Sequence, residues 1–318
     1  MENNFKKPKY IIVLGTTFSG SRAVFDYLNG RGDLYDPLAG EEYLLPILPN
    51  GIMALEAVSD KAFDPASAEY YLTQFKLIAH ELMNYWRAKS KDERFIKRIP
   101  IYTNIIKKFI NDITSADYPM RLLWRDQLAP SAIEHILEKI KNRIGYKKRI
   151  SQTRLIVSSD KFIIAAKKMH DSMFENFSES RPTLLDQGGS GWNPIESTKY
   201  FSNSKIILVT RDPRDQFAEI KHYKKGESVE GFIDWYLEMQ RRLKSIEDKN
   251  VLFVRFEDFV QKNLHQLELL CNFLSLPSDI SSNYQPDLSR KNIGKHKEII
   301  SHKENQIIKN KLGEYFSE

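Results

Sequence analysis

Lys205-Ile206-Ile207-Leu208-Val209-Thr210-Arg211-Asp212-Pro213-Arg214-Asp215 decides the fold of this chain. The apolar run Ile206 to Val209 predicts a strand buried on both faces, as in a parallel sheet. A helix start follows at once. Pro213 suits the first helical turn, where its missing N–H is no loss, and Asp212 suits the cap before it. Phe217 and Ile220 continue the apolar face of that helix. Arg211 therefore stands at the carboxyl end of a strand, where open α/β sheets gather ligands and where a planar guanidinium fork matches a phosphate. Taken alone, the same residues also fit a capped helix with surface charges.

A second strand-to-helix junction lies near the N-terminus. Lys9 to Leu14 reads as a buried strand that stops at Gly15, and Ala23, Val24, Tyr27 and Leu28 recur at helical spacing until Asn29-Gly30. Between them runs Gly15-Thr16-Thr17-Phe18-Ser19-Gly20-Ser21. Such a loop aims backbone N–H groups and a helix dipole at one point and can hold a phosphate, although a plain tight turn has the same composition. Gly20-Ser21-Arg22 stands where a nucleotide-hydrolysing P-loop carries Gly-Lys-Ser/Thr, which counts against a magnesium-nucleotide phosphotransferase.

Further strands are expected at Arg154 to Ser158, Thr183 to Asp186 and Val251 to Val254, each followed by a helical segment. The alternation implies an α/β fold with a parallel sheet of about five strands flanked by helices. From about Glu41 to Ile150 the pattern is helical instead, clearest at Pro65 to Arg87, Ile101 to Ile113 and Ser131 to Ile144, with no strand among them. The expected organisation is one domain over 1–318, with a helical insertion or cap over 50–150 after the first βα unit.

Composition narrows the function. With 318 residues, 41% hydrophobic and 28% charged, the chain is that of a globular protein. No apolar run is long enough to span a bilayer and the first residues are polar, so a cytoplasmic location is expected, with no membrane span. The net charge of +6 suits anionic ligands. Its basic residues are scattered, as in Lys139 to Arg149 and Lys291 to Lys297, and form no nucleic-acid-binding motif, so no nucleic-acid partner is expected. The single Cys271 and the seven histidines show no metal-ligand spacing. A homo-oligomer is compatible with the sequence, which does not specify one.

Together these junctions resemble the sulfotransferases that use 3′-phosphoadenosine 5′-phosphosulfate (PAPS), nearer to bacterial and glycan-directed members. Gly15 to Leu28, with Ser19-Gly20-Ser21-Arg22-Ala23 inside it, is similar to their 5′-phosphosulfate loop, and Arg211 matches the arginine placed on the donor's 3′-phosphate. Val254-Arg255-Phe256-Glu257-Asp258 resembles the family's Arg-Tyr-Glu-Asp segment. Arg290-Lys291-Asn292-Ile293-Gly294-Lys295 looks like its late basic phosphate loop. The resemblance implies a P-loop sulfotransferase fold and a sulfuryl transfer from PAPS to a hydroxyl or amine of a saccharide or small metabolite. The product 3′-phosphoadenosine 5′-phosphate would remain, and no metal would be required. It also implies donor contacts from Gly15, Thr16, Thr17, Phe18, Ser19, Gly20, Ser21 and Arg22, from Arg211, from position 219, and from Arg290, Lys291, Asn292, Gly294 and Lys295.

Three departures stand out. Phe18 replaces the Lys or Arg that stabilises the bridging oxygen as sulfate leaves, so Arg22, Lys161 or a late-loop lysine would have to supply that charge. Glu219 replaces a serine on the 3′-phosphate, and like-charge repulsion predicts that it points away. The late loop is shorter than usual, with His296 in place of a Trp. For the base, Glu41-Glu42 fall where glycan-directed members carry a glutamate, Glu42 being preferred over Glu41; two carboxylates opening a helix would look the same. Ser158-Ser159-Asp160-Lys161 and the glycine-rich Asp186 to Pro194 loop are further acceptor-side candidates. The alternatives left open are a catalytically weak nucleotide-binding member of the same fold and a P-loop phosphotransferase.

Overall fold

The computed structural model describes residues 7–59, 65–120, 140, 143, 151–175, 181–261 and 264–316. Along the chain these form β1 (Tyr10–Gly15), α1 (Ser21–Asn29), α2 (Ile52–Ser59), α3 (Pro65–Lys89), α4 (Glu93–Asp112), β2 (Thr114–Met120), β3 (Ser151–Ile156), α5 (Ser159–Met173) and β4 (Thr183–Asp186). Then come α6 (Pro194–Thr198), β5 (Ser204–Thr210), α7 (Pro213–His222), α8 (Val229–Leu243), β6 (Val251–Arg255), α9 (Phe256–Val260), α10 (Leu264–Leu274), α11 (Pro286–Arg290), α12 (His296–Ile299) and α13 (His302–Leu312). The chain divides into two compact units, one of Met1–Ile47, Lys89–Lys97 and Phe174–Glu318, the other of Leu48–Ala88 and Arg98–Met173.

The first unit is a mixed α/β structure on a parallel sheet of order β4-β1-β5-β6. Partners on both edges of β1 explain why Tyr10 to Leu14 are apolar at every position: all five are fully buried. Helix α1 packs on β1, β4 and β5. Its buried stripe Ala23, Val24 and Leu28 joins Ile11, Val13, Ile207, Val209, Phe256 and Phe259 in one core. Each fully buried side chain of this kind contributes roughly 1.5–3 kcal/mol. In register, Val13 lies beside Asp186, Gly15 beside Val209 and Thr210 beside Arg255. The carboxyl ends of all four strands thus meet at one edge, and β1 is central there between β4 and β5, where the connections part to either side.

Among the described residues the sheet has four strands, where about five were expected. The expected strand near Arg154 to Ser158 forms as β3, but it pairs antiparallel with β2 in the second unit. That pairing also corrects the expectation of no strand within 41–150. The run Thr-Ser-Ala-Asp-Tyr-Pro-Met of β2 carries a proline and few apolar residues, and it is tolerated because a two-stranded ribbon has only edges. In the same unit Phe75, Phe109 and Phe162 meet edge to face, with ring centroids 5.7 and 5.5 Å apart. Helix α4 begins at Glu93 rather than at Ile101. Asp92 caps it, accepting from the N–H groups of Arg94 (2.8 Å) and Phe95 (3.1 Å), and Pro100 lies inside it. The helix expected over Ser131 to Ile144 falls, apart from residues 140 and 143, outside the described residues.

Candidate active site

The loop after β1 is wound tightly by its glycines. Gly20 has φ +83°, and a Cβ there would meet the Phe256 ring at 2.4 Å, so backbone and packing both demand glycine. A Cβ on Gly15 would lie 2.2 Å from Ser19 Oγ. Ser19 N–H donates to the Thr16 carbonyl (2.9 Å) and Ala23 N–H to that of Gly20 (3.0 Å). Two glutamines brace the turn. Gln187 accepts from Gly15 N–H (3.4 Å) and donates to Ser21 Oγ (2.9 Å), while Gln216 donates to Thr16 Oγ1 (3.1 Å) and to the Thr17 carbonyl. Helix α1 has no side-chain cap, and the residues of its first turn, Ser21 to Ala23, line the cavity together with Gly15 to Gly20.

The glycine-rich loop after β4 packs on this turn. A Cβ on Gly191 would lie 2.5 Å from the Gly15 carbonyl oxygen, so that glycine is explained by close approach of the two backbones.

Arg211 joins three distant segments. Its guanidinium donates to the carbonyls of Phe18 (2.9 Å) and Asn292 (2.6 Å), and lies over the Phe256 ring, 5.0 Å from its centroid. It also pairs with Glu219, Nη1 to Oε2 at 3.1 Å. Here the expectation fails: Glu219 does not point away but turns inward, between Arg211 and Lys295, whose Nζ lies 3.1 Å from Oε1. Attraction to two cations decides its direction. The adjoining residues act as fasteners. Asp212 caps α7, accepting from Arg214 N–H (2.9 Å), and donates its own N–H to Glu257 of the Arg-Phe-Glu-Asp segment (3.0 Å). Asp215 grips the late loop through the N–H groups of Gly294 (2.7 Å) and His296 (2.9 Å) and the His296 ring (2.6 Å). Burial would raise the Asp215 carboxyl, but these bonds outweigh it and hold it below its ordinary value.

Of the late loop, Asn292 and Lys295 line the cavity, as does Ser289. Gly294 serves Asp215 with φ +80°. Arg290 is turned to the Val260 carbonyl (2.8 Å) and Asp287 (2.6 Å), and neither it nor Lys291 lines the cavity. The Phe18 ring stacks on Tyr223, centroids 5.2 Å apart.

The two candidate glutamates part company. No helix starts at Glu41-Glu42; Glu42 bridges in parallel to Asp186 at the end of β4 and lines the cavity, whereas Glu41 pairs with Lys89 at 3.1 Å and does not line it. Arg22 reaches across from α1 to the Gly40 carbonyl (2.6 Å), to Asp26 (2.8 Å) and to Asp186 (3.2 Å). Asp186 is only 3% exposed, and burial, with Glu42 nearby, pushes its carboxyl up to about 7 despite Arg22. The sequence reading gave no role to Gln216, and placed Asp186, Gln187 and Phe256 only within longer segments, without the contacts they make here. Their signal lay in position: Asp186 ends β4, Gln187 and Phe256 directly follow β4 and β6, and Gln216 lies in the first turn of α7 after β5.

The cavity these residues enclose measures about 650 Å³, a size typical of small-molecule sites. Three cations (Arg22, Arg211, Lys295) and three carboxylates (Asp26, Glu42, Glu219) line it. Ser19 Oγ and Arg211 Nε are buried with no hydrogen-bond partner among the described residues. Among those residues no cluster of His, Cys, Asp and Glu could hold a metal ion, and no helix is long and apolar enough to cross a membrane. Lys161 and the Ser158-Ser159-Asp160 turn belong to the second unit.

No curated protein is significantly similar to the chain. Two solved structures are similar over nearly all of it. One is the Sulfotransferase Domain from the Curacin Biosynthetic Pathway, at 12% identity over 98% of each chain with a TM-score of 0.42. The other is the Sulfotransferase Domain from the Synechococcus PCC 7002 Olefin Synthase, at 12% identity over 98% of this chain and 97% of that one, with a TM-score of 0.44. Residues 194–279, the segment that carries Arg211, Glu219 and Phe256, match the family model described as Sulfotransferase family.

Proposed function

We propose that the chain transfers a sulfuryl group from PAPS to a hydroxyl or amine of a saccharide or small metabolite. One observation carries this reading. The glycine loop opening α1, Arg211 and the late-loop Lys295 face a single cavity in which Ser19 Oγ and Arg211 Nε lack partners among the described residues. Buried polar groups left unmet cost about 1–3 kcal/mol each, which an anionic ligand would recover. In this reading the Gly15 to Arg22 loop holds the 5′-phosphosulfate through first-turn N–H groups and hydroxyls, and Arg211 lies toward the 3′ side of the nucleotide.

Glu42 is the assigned base. It takes the acceptor's proton as the acceptor oxygen or nitrogen bonds to sulfur and the bond from sulfur to the bridging oxygen breaks, the leaving phosphate retaining the electron pair. Arg22, on the same cavity wall, supplies the positive charge that Phe18 cannot. Bonds to Asp26, Gly40 and Asp186 fix its guanidinium before substrate arrives.

Thermal unfolding with 3′-phosphoadenosine 5′-phosphate, set against ATP with magnesium, tests the donor class, because a ligand stabilises the state it binds. The bisphosphate is expected to raise Tm and to do so less in Arg211→Ala. Stabilisation by ATP with magnesium alone would overturn the proposal. Transfer of labelled sulfate to mixed glycans and phenols then separates an enzyme from a nucleotide-binding protein without activity.

A further inference from the structure

Glu219 occupies the seat that the sulfotransferase resemblance gives to a donor's 3′-phosphate. Its Oε2 lies 3.1 Å from Arg211 Nη1 and its Oε1 3.1 Å from Lys295 Nζ. The Arg211 side chain is 1% exposed and that of Glu219 12%, so the pair is shielded from water. One resident carboxylate thus already answers two cations, leaving one formal positive charge for an incoming phosphate dianion. Resting on the nucleotide reading above, we infer that Glu219 sets selectivity at the nucleotide's 3′ position, so that a free 3′-hydroxyl is accepted about as well as a 3′-phosphate.

The physical argument is a comparison of two occupants. A 3′-phosphate must either sit beside a like charge in a shielded recess or turn Glu219 out and break both of its ion pairs; either course consumes what the phosphate gains from Arg211. A 3′-hydroxyl meets no such conflict, because it donates a hydrogen bond to the carboxylate already in place. Arg211 meanwhile keeps its bonds to Phe18 and Asn292, which tie the phosphosulfate loop to the late loop whichever nucleotide binds.

Calorimetric titration of the full chain with adenosine 3′,5′-bisphosphate and with adenosine 5′-monophosphate tests this, using wild type, Glu219→Ser and the isosteric Glu219→Gln. Wild type is expected to bind the two nucleotides within about fivefold of each other. Both variants should gain at least about tenfold for the bisphosphate and nothing for the monophosphate, tenfold being about 1.4 kcal/mol. A large wild-type preference for the bisphosphate, unmoved by either substitution, overturns the assignment while leaving the nucleotide reading intact. Failure of all three proteins to bind either nucleotide overturns the nucleotide reading, and this inference with it.

Discussion

Replacing Asp186 by Asn should make the protein more resistant to alkaline destabilisation. Asp186 is 3% exposed, one of its oxygens has no hydrogen-bond partner among the described residues, and burial pushes its carboxyl up to about 7 from an ordinary 3.8. A carboxyl raised in the folded state contributes stability that is complete below its unfolded value and is lost as pH climbs through its folded value. Between pH 5 and 7 that loss spans two pH units, about 3 kcal/mol at 1.36 kcal/mol per unit. Asparagine keeps the shape and cannot ionise, so its variant escapes the loss. Urea unfolding of both proteins at pH 5.0 and 8.5 measures the difference, since all other titrating groups are common to the two. Wild type should lose about 3 kcal/mol more than Asp186→Asn over that interval. Parallel losses, or an asparagine variant weakened chiefly at pH 8.5, would refute the reasoning by showing that the 3.2 Å pair with Arg22 outweighs the cost of burial.

Three further outcomes follow from the site. Gly20→Ala combines a left-handed backbone with a Cβ 2.4 Å from the Phe256 ring, and should cost about 2–4 kcal/mol in thermal unfolding and abolish nucleotide-induced stabilisation. Asp215→Asn should weaken the hold on the late loop, and the Gly294 and His296 amides should lose at least about tenfold of their hydrogen-exchange protection. Because the Asp215 carboxyl is held low, its contribution is present above the unfolded value and declines as pH falls through the lower folded one, so the wild-type advantage should shrink on acidification. Glu42→Gln should lower kcat by about a hundredfold with little change in nucleotide affinity, and an unchanged kcat removes it as the base.

The strands of the main sheet were legible because burial on both sides leaves unbroken apolar runs, as in Ile11 to Leu14 and Ile206 to Val209. The two junctions were legible for a related reason: Gly15, Gly20, Asp212 and Pro213 each satisfy a backbone demand that few other residues meet. Strand β2 was hidden because its run carries a proline and neither Val nor Ile, the residues that mark most strands. The inward turn of Glu219 was hidden too. It depends on Lys295, 76 residues further on, and repulsion from an expected phosphate was the only force the sequence suggested. The bracing roles of Gln187, placed only within an acceptor-side loop, and of Gln216 were not legible, since an amide bracing a turn has the composition of any polar surface residue. What separates them is a partner at long range, Gly15 in one case and Thr16 in the other.

The central place of β1 has a bearing on biosynthesis. Val13 pairs with Asp186 on one edge, and Gly15 with Val209 on the other. Lying ahead of both neighbours in the chain, the strand must wait until residues 183–210 are made, a delay on the order of ten to thirty seconds at ordinary ribosomal speeds. Throughout that interval it offers an apolar segment with two open edges, the kind of segment that recruits other chains. Nascent chains arrested before residue 186 are therefore expected to depend on chaperones or to aggregate. The glycine loop, braced by Gln187 and Gln216, would acquire its shape only after Gln216 has emerged.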